Sequence, residues 1–467
     1  MKKRVILISI LFFIFLSAYS RISESIGNVL DISEKNGKIF IKTSNAEVQI
    51  TSYNSDIIRV RVNKNKIEKD FSYAIIASPA SYLKKEFENE KSVIYYTSTL
   101  KIQINKEPFR ISFYTTNNEC INADDTTNGI KWIGTEVINY KKLFSDEKFI
   151  GLGEKTGGLN RRGSAYENWN SDVPGYTLNQ DPLYATIPFY IGIHNRLVYG
   201  IFLDNSYKSY FNFGASTDEK MMSFGAADGE LNYYFIYGEN VGKIINNYTY
   251  LTGKPQLPPL WSLGYQQCRY SYYPDTELLT IAKTFRDKKI PADVLYLDIH
   301  YMDNFKIFTF NPNYYSKSAE TIEQLDKMGF KTVVIVDPGI KVEDGYHAYE
   351  EGKANDFFVK YPSGEPYIGS VWPGRSCFPD FTNPKVRQWW ADKIKFYADN
   401  GVAGIWNDMN EPAAWGQHIP NIVEFNFEGE PTSMSQAHNV YGMLMSRSSF
   451  EGMKKHRNNK RSLIITR

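Results

Sequence analysis

Asp298, Asp337 and Asp408 share a setting: each follows a short apolar run and opens a polar loop. A carboxylate so placed can act as a nucleophile, as an acid or base, or as an acceptor for hydroxyl groups, and parallel α/β folds keep such groups at the carboxyl ends of their strands. The richest of the three runs is Gly404-Ile405-Trp406-Asn407-Asp408-Met409-Asn410-Glu411-Pro412. Residues 402–406 read as a buried strand, which cannot continue through Pro412 because proline has no amide donor. Asp408 therefore stands at a strand end, with Glu411 three residues on. Residues 294–299 lead to Asp298, and alternation along a strand puts His300 on the same side. Residues 332–336 run into Asp337-Pro338-Gly339. One such Asp could do no more than cap the following helix; three in one register point to a shared site.

The elements that must hold these residues follow a strand, loop, helix order. After a linker rich in Pro and Gly at 253–259, the expected strands are 262–266, 294–299, 332–336, 402–406 and 462–466, with helices at 277–288, 319–328 and 386–399. Repeated βα units with continuous apolar strands imply a parallel sheet covered by helices. Five strands fit a (β/α)8 barrel or a doubly wound sheet, and the absence of a Gly-rich phosphate loop after the first strand disfavours a nucleotide fold. Upstream, residues 21–252 carry short alternating runs, such as 38–42, 56–62 and 100–104, separated by turn residues that include Asn-Gly at 36 and 128. That pattern predicts an antiparallel β-sandwich. The chain therefore divides into residues 1–20, a sandwich over 21–252 and a catalytic domain over 253–467.

Composition excludes several classes. A net charge of +2, with both signs mixed along the chain, gives no footprint for nucleic acid or a membrane surface. Residues 1–20 join a Met-Lys-Lys-Arg start to an apolar run and small residues before a possible cut, the pattern of a secretory signal peptide, so export is expected. Cys120, Cys268 and Cys377 are too few and too scattered for a disulfide framework, and the six His form no ligand spacing. Neither a metal nor another cofactor is expected. Residues 124–129 imitate half of a calcium loop, but Thr135 stands where a bidentate Glu is needed, and a hairpin turn is the simpler reading. Aromatic content of 15%, with 34 Tyr, suits either sugar recognition or a Tyr-rich core.

The run from Gly404 to Glu411 resembles the nucleophile signature of glycoside hydrolase family 31, Gly-Ile/Leu-Trp-any-Asp-Met-Asn-Glu, at every position, and the resemblance extends from about Phe149 to Arg467. It implies a retaining, exo-acting α-glucosidase on an incomplete (β/α)8 TIM barrel, with oligosaccharides or other α-glucosides as its substrates. Asp408 matches the nucleophile and Glu411 a supporting carboxylate. Asp298 and Ile299 match residues of the glucosyl subsite, and Trp372, within residues 371–381, matches a wall of it. Trp406 lies beside the nucleophile, Asp172 in the run 167–176 matches a contact from the first domain, and Arg467 matches an arginine on the fifth strand. The acid/base Asp falls, in the family, about fifteen residues beyond the position of Arg467, and three further strands complete the eight-stranded barrel. The expectation is thus an amino-terminal part of a longer enzyme, inactive by itself. An α-xylosidase or transglucosidase on the same scaffold, or an inactive carbohydrate-binding homologue, is the alternative; the Trp-Asn-Asp-Met-Asn-Glu form favours glucose. Linkage preference and oligomeric state are not legible.

Overall fold

The structure, a computed structural model, describes residues 23–467 apart from 81, 217–219 and 417, so the expected signal peptide at 1–20 lies outside the described residues. Among the described residues the amino-terminal region is rich in antiparallel sheet. An eight-stranded sheet runs from Lys148–Gly153 at one edge to Val29–Lys35 at the other; sheets of six and five strands accompany it. Asn36-Gly37 forms the expected two-residue hairpin, since Lys35 pairs with Lys38 and both turn residues have positive φ, 52° and 71°. Alternate residues of all three sheets point into one core. Ile39, Ile41, Val60 and Val62 of the first sheet meet Ile102, Ile104 and Phe113 of another and Trp132, Val137 and Phe224 of the third. Phe113 stacks flat on Phe235 at 3.9 Å between ring centres.

Asn128-Gly129 does not close a hairpin between paired strands. Cys120–Ala123 pairs with Phe109–Thr115, whereas Ile130–Ile133 pairs with Glu136–Lys142, so residues 124–129 cross between sheets. Their polar groups are consumed locally: Arg110 donates to the carbonyls of Asp125, Thr126 and Thr127, and Asp124 is paired with Lys141 at 2.7 Å. A helix, Val241–Thr252, interrupts the expected all-strand pattern. Asn240 caps it by accepting from the Lys243 amide, and Ile244 and Leu251 seat it on the eight-stranded sheet.

The second region is a curled parallel sheet of five strands in the order Gln266–Gln267, Val294–Leu297, Lys331–Val336, Gly404–Asn407 and Leu463–Thr466. The first is shorter and later than expected, because residues 260–263 form a 3-10 turn. The helices Asp275–Asp287, Ser318–Lys327 and Pro384–Lys393 fall where the pattern put them, the last broken from a short helix, Lys395–Asp399. One face of the sheet, carrying Leu295, Leu297, Val334, Val336 and Ile405, packs on the helical layer. On the other, Val294, Tyr296 and Val333 meet Trp406, Leu463 and Ile465. Gly404 is required there, since a Cβ would lie 2.7 Å from the Leu463 carbonyl oxygen and 3.1 Å from Val333. The 23-residue helix Met434–His456, absent from the expected elements, lies behind the Gly404–Asn407 and Leu463–Thr466 strands.

Candidate active site

The inner face of the parallel sheet ends in charge. Counting every second residue, Val294 and Tyr296 lead to Asp298, Val333 and Ile335 to Asp337, Gly404 and Trp406 to Asp408, and Leu463 and Ile465 to Arg467. Pairing of Val336 with Asn407 and of Asn407 with Thr466 puts Asp337, Asp408 and Arg467 on one rung. The amides continue the ladder, from Asp408 to the Val336 carbonyl at 3.1 Å and from Arg467 to the Asn407 carbonyl at 3.2 Å. Asp298 lies two rungs lower, level with Ile335 and Trp406, because Leu297 pairs with Val334. All three aspartates are buried, as is Glu411.

Arg467 organises the acids. Its Nε and Nη2 donate to Glu411 Oε1 and Oε2 at 2.7 and 3.0 Å, a bidentate pair. The same guanidinium lies 3.1 Å from Asp408 Oδ1 and 3.4 Å from Asp172 Oδ1, near enough for charge but outside hydrogen-bond geometry. Asp408 Oδ1 thus faces a positive charge while accepting no hydrogen bond from the described residues. Burial pushes the Asp408 carboxyl above its ordinary range, with Arg467 and the Met409 amide opposing the rise. Burial likewise raises Glu411 against the opposing pull of Arg467. Asp298 is raised by burial and by Asp408, although its own Oδ1 accepts from the Ile299 amide at 2.7 Å. Asp337 is raised most clearly, by burial first and then by Asp408.

Local backbone aims these groups. Met409 has φ of 54°, a left-handed conformation that costs an ordinary residue about 1–2 kcal/mol and reverses the chain so that Glu411 returns toward Arg467. Asn407 accepts from Ser449 at 3.0 Å and donates to Ser446 at 3.2 Å, which ties the strand end to the helix Met434–His456. Asn410 donates to Thr466 at 2.9 Å, and Gly442 lets that helix approach, since a Cβ there would lie 2.7 Å from the Asn410 carbonyl oxygen.

The amino-terminal region supplies Asp172 through a docked loop. Trp169 stacks on His438 at 3.7 Å, His438 Nε2 lies 2.7 Å from the Asn170 carbonyl, and Asn439 meets the Asn170 amide at 3.0 Å. Burial drives His438 down to about 3, so the ring is neutral and Nε2 donates to that carbonyl. These docking residues, on a helix the sequence did not reveal, carried no readable signal.

Two expected positions need correction. His300 does not share a strand face with Asp298, because the strand ends at Leu297 and residues 299–301 turn into a 3-10 helix. Its ring stacks on Tyr273 at 4.7 Å, with Nδ1 2.9 Å from the Ser271 hydroxyl. Ile299 is 1% exposed, its side chain in the helical-side core rather than on an open wall. Trp372 does stand in an aromatic wall, but with partners the sequence reading passed over: Trp415 edge-on at 4.9 Å, Tyr270 at 6.1 Å and Phe305 at 6.2 Å. The aromatic run Tyr270-Ser271-Tyr272-Tyr273, in a loop just after a strand, was the available clue. Trp406 is half-buried, edge-on to Tyr296 at 6.1 Å. Among the described residues no group of His, Cys, Asp and Glu could hold a metal ion.

A sheet-borne cluster of acids, one arginine and an aromatic wall is a fit setting for polyol chemistry, and comparison with known proteins gives its class. The glycosyl hydrolases family 31 TIM-barrel domain matches residues 255–467, and the glycosyl hydrolase 31 N-terminal galactose mutarotase-like domain matches residues 47–212. The chain belongs to glycoside hydrolase family 31. Alpha-glucosidase 2 of Bacillus thermoamyloliquefaciens is 38% identical over 446 residues, covering 95% of this chain and 56% of that protein. Alpha-xylosidase 1 of Arabidopsis thaliana is 36% identical over 267 residues, 56% of this chain and 28% of that one. The Flavobacterium johnsoniae GH31 dextranase complexed with glucose superposes with a TM-score of 0.88 at 33% identity, covering 95% of this chain and 55% of that one. The chain spans about half the length of these two bacterial relatives.

Proposed function

We propose that this chain carries the nucleophile and sugar-binding half of a retaining, exo-acting α-glucosidase, with Asp408 attacking the anomeric carbon of a terminal α-linked glucose. The observation that carries this reading is Asp408 Oδ1, buried at a strand end, 3.1 Å from Arg467 and without a hydrogen bond from the described residues. A nucleophile needs an unspent lone pair and a counter-charge that keeps it ionised. In a double displacement Asp408 forms a glycosyl ester, and a second carboxyl first protonates the leaving oxygen and then activates water. That second role is given to none of Asp298, Asp337 and Glu411. Glu411 is clamped by two hydrogen bonds that favour its ionised form, Asp337 is 4% exposed and Asp298 accepts from a backbone amide.

Asp298 accepts hydroxyl donors of the glucosyl ring, Trp372 and Trp406 wall it, Asp172 reaches it from the first domain, and Arg467 with Glu411 sets the charge. The five parallel strands are read as part of a (β/α)8 barrel, and the antiparallel sheets as a sandwich ending near residue 252. The protein is read as exported, and no helix among the described residues is long and apolar enough to cross a membrane.

The alternative of α-xyloside hydrolysis is favoured by one observation, the 36% identity to Alpha-xylosidase 1. Turnover of nitrophenyl α-glucoside and α-xyloside by the protein expressed from its full reading frame separates the two, glucoside being the expected substrate. Faster xyloside turnover overturns the specificity, and turnover of neither overturns the enzyme reading in favour of a carbohydrate-binding role.

A further inference from the structure

Two buried carboxylate oxygens at the ends of neighbouring strands have no hydrogen-bond partner among the described residues: Asp337 Oδ1 and Asp408 Oδ1. The two residues occupy one rung of the sheet, in register through Val336 and Asn407, and their side chains project from the same face. Adjacent strands lie about 4.8 Å apart, so two Asp side chains on one rung are within reach of each other. If both were ionised, like charges would face each other away from water, at a cost far above that of a lost hydrogen bond.

Arg467 relieves this only in part, since its guanidinium lies 3.1 Å from Asp408 Oδ1 but outside hydrogen-bond geometry. Arg467, the cation on this rung, gives both its hydrogen bonds to Glu411. Asp298 stands beside them with a third carboxylate, already bonded to the Ile299 amide. Beneath Asp337, the Tyr301 hydroxyl donates to the Ile335 carbonyl at 2.8 Å, and the Tyr397 hydroxyl lies 3.0 Å from that of Tyr301 and accepts from the Phe308 amide. No donor among the described residues reaches Asp337 Oδ1. One proton placed between the two acids gives each free oxygen a partner, halves the charge of the pair and leaves Asp408 Oδ1 its second lone pair for the attack.

We propose that Asp337 is a positioning residue that shares a single proton with Asp408 in the free site, holding the Asp408 carboxylate on its rung by an O–H···O⁻ hydrogen bond. The pair then carries one negative charge, and titrates as a unit rather than as two separate acids. Charge-assisted bonds of this kind are short and strong, about twice the neutral ones, which suits a group that must not rotate before it attacks. Burial and the nearness of Asp408 both push the Asp337 carboxyl toward its protonated form. The inference rests on the nucleophile role given above to Asp408, and its test has one arm that does not.

That arm is infrared difference spectroscopy, without substrate, on the protein expressed from its full reading frame. At neutral pH the wild type should show the C=O stretch of a protonated carboxyl that Asp337→Asn removes. The kinetic arm compares Asp337→Asn, which keeps a donor without the charge, with Asp337→Leu, which keeps the volume without a donor. Loss of one hydrogen bond to a charged group predicts that kcat falls by less than about tenfold in the Asn variant and by more than about thirtyfold in the Leu variant, with KM nearly constant in both. A purely structural Asp337 would lower both variants alike, together with their near-ultraviolet dichroism. Equal losses, or no protonated-carboxyl band lost in Asp337→Asn, overturn the proposal. Should the protein cleave no α-glucoside, the function reading fails while the infrared arm still decides the shared proton. Should the Leu variant not fold, the Asn spectrum decides alone.

Discussion

Both halves of the molecule bury charge, and two ion pairs in the first contrast with an acid cluster in the second. In the amino-terminal sheets Lys141 and Asp124 are fully enclosed at 2.7 Å from each other, and Arg61 faces Glu230 at the same distance. Each of these two cations has its own acid. At the ends of the parallel strands Asp337, Asp408 and Glu411 are buried around the one cation Arg467, with Asp298 two rungs below them. A buried pair can be neutral toward stability, whereas surplus buried charge is a cost that packing elsewhere must offset. The contrast teaches where to look for chemistry: not at buried charge as such, but at buried charge left unbalanced.

The contrast breaks first at Asp408. Asp408→Asn should cut kcat by at least about a thousandfold, since a nucleophile divides one hard displacement into two easier ones, while thermal unfolding shows no loss of stability. A variant retaining more than a tenth of wild-type turnover would remove Asp408 from the mechanism. The mirror experiment lies in the sheets. Lys141→Met strands Asp124 inside the core and should cost about 3–5 kcal/mol of stability, most of it recovered when Asp124→Leu is added, with kcat per folded molecule unchanged. Recovery that fails to appear in the double variant would mean that the pair is not balanced in the way its geometry implies.

The sharper test is the sign of the pH dependence. The Asp298 carboxyl is raised by burial, so the folded state holds its proton more tightly than the unfolded chain. Its full contribution is present below the unfolded value, near pH 4, and is lost as the pH rises through the folded one. Asp298→Asn should therefore raise Tm at neutral pH, a gain that vanishes near pH 3, while kcat/KM for the glucoside falls by roughly ten- to a hundredfold as charge-assisted bonds to the sugar weaken. Asp70 is the opposite case: burial raises its carboxyl, but Arg59 at 2.7 Å prevails and holds it below the usual range. Asp70→Asn should lower Tm at neutral pH, an effect that fades in acid as the wild-type pair is itself protonated apart. The same sign at both sites would erase the distinction. The smallest effect is expected at Trp169→Ala, which removes the stack on His438 and should lower kcat/KM by about three- to tenfold through a less steady Asp172. Unchanged kinetics there would show that the docked loop does not govern Asp172.

What the sequence made legible was the periodic and the local. Gly404 to Pro412 announced a strand broken by a polar loop, and the alternation before Asp298, Asp337 and Asp408 foretold a common face. The helix Met434–His456 stayed hidden because its inward positions include His438, Ser448 and Ser449, buried polar residues that blur an apolar stripe, and because Gly442 and Gly452 argue against a helix interior. His300 was misplaced by extending strand alternation one turn too far. The partners of Lys141 and Arg61, and the three acids around Arg467, are brought together only by the closing of sheets and the docking of one region on the other, which no short window of sequence records.

The hidden helix has a mechanical consequence. Near its start His438 and Asn439 grip the loop that presents Asp172; further along Gly442, Ser446 and Ser449 hold the strand end and loop that present Asp408 and Glu411. The segments that carry Asp172 and Asp408 are thus fastened to one rod of roughly 34 Å. Were the two regions to shift against each other, both carriers would travel with that rod, as the jaws of a caliper travel on its beam. The gap between Asp172 and Arg467 is then set by the stiffness of a single part rather than by the summed play of several joints.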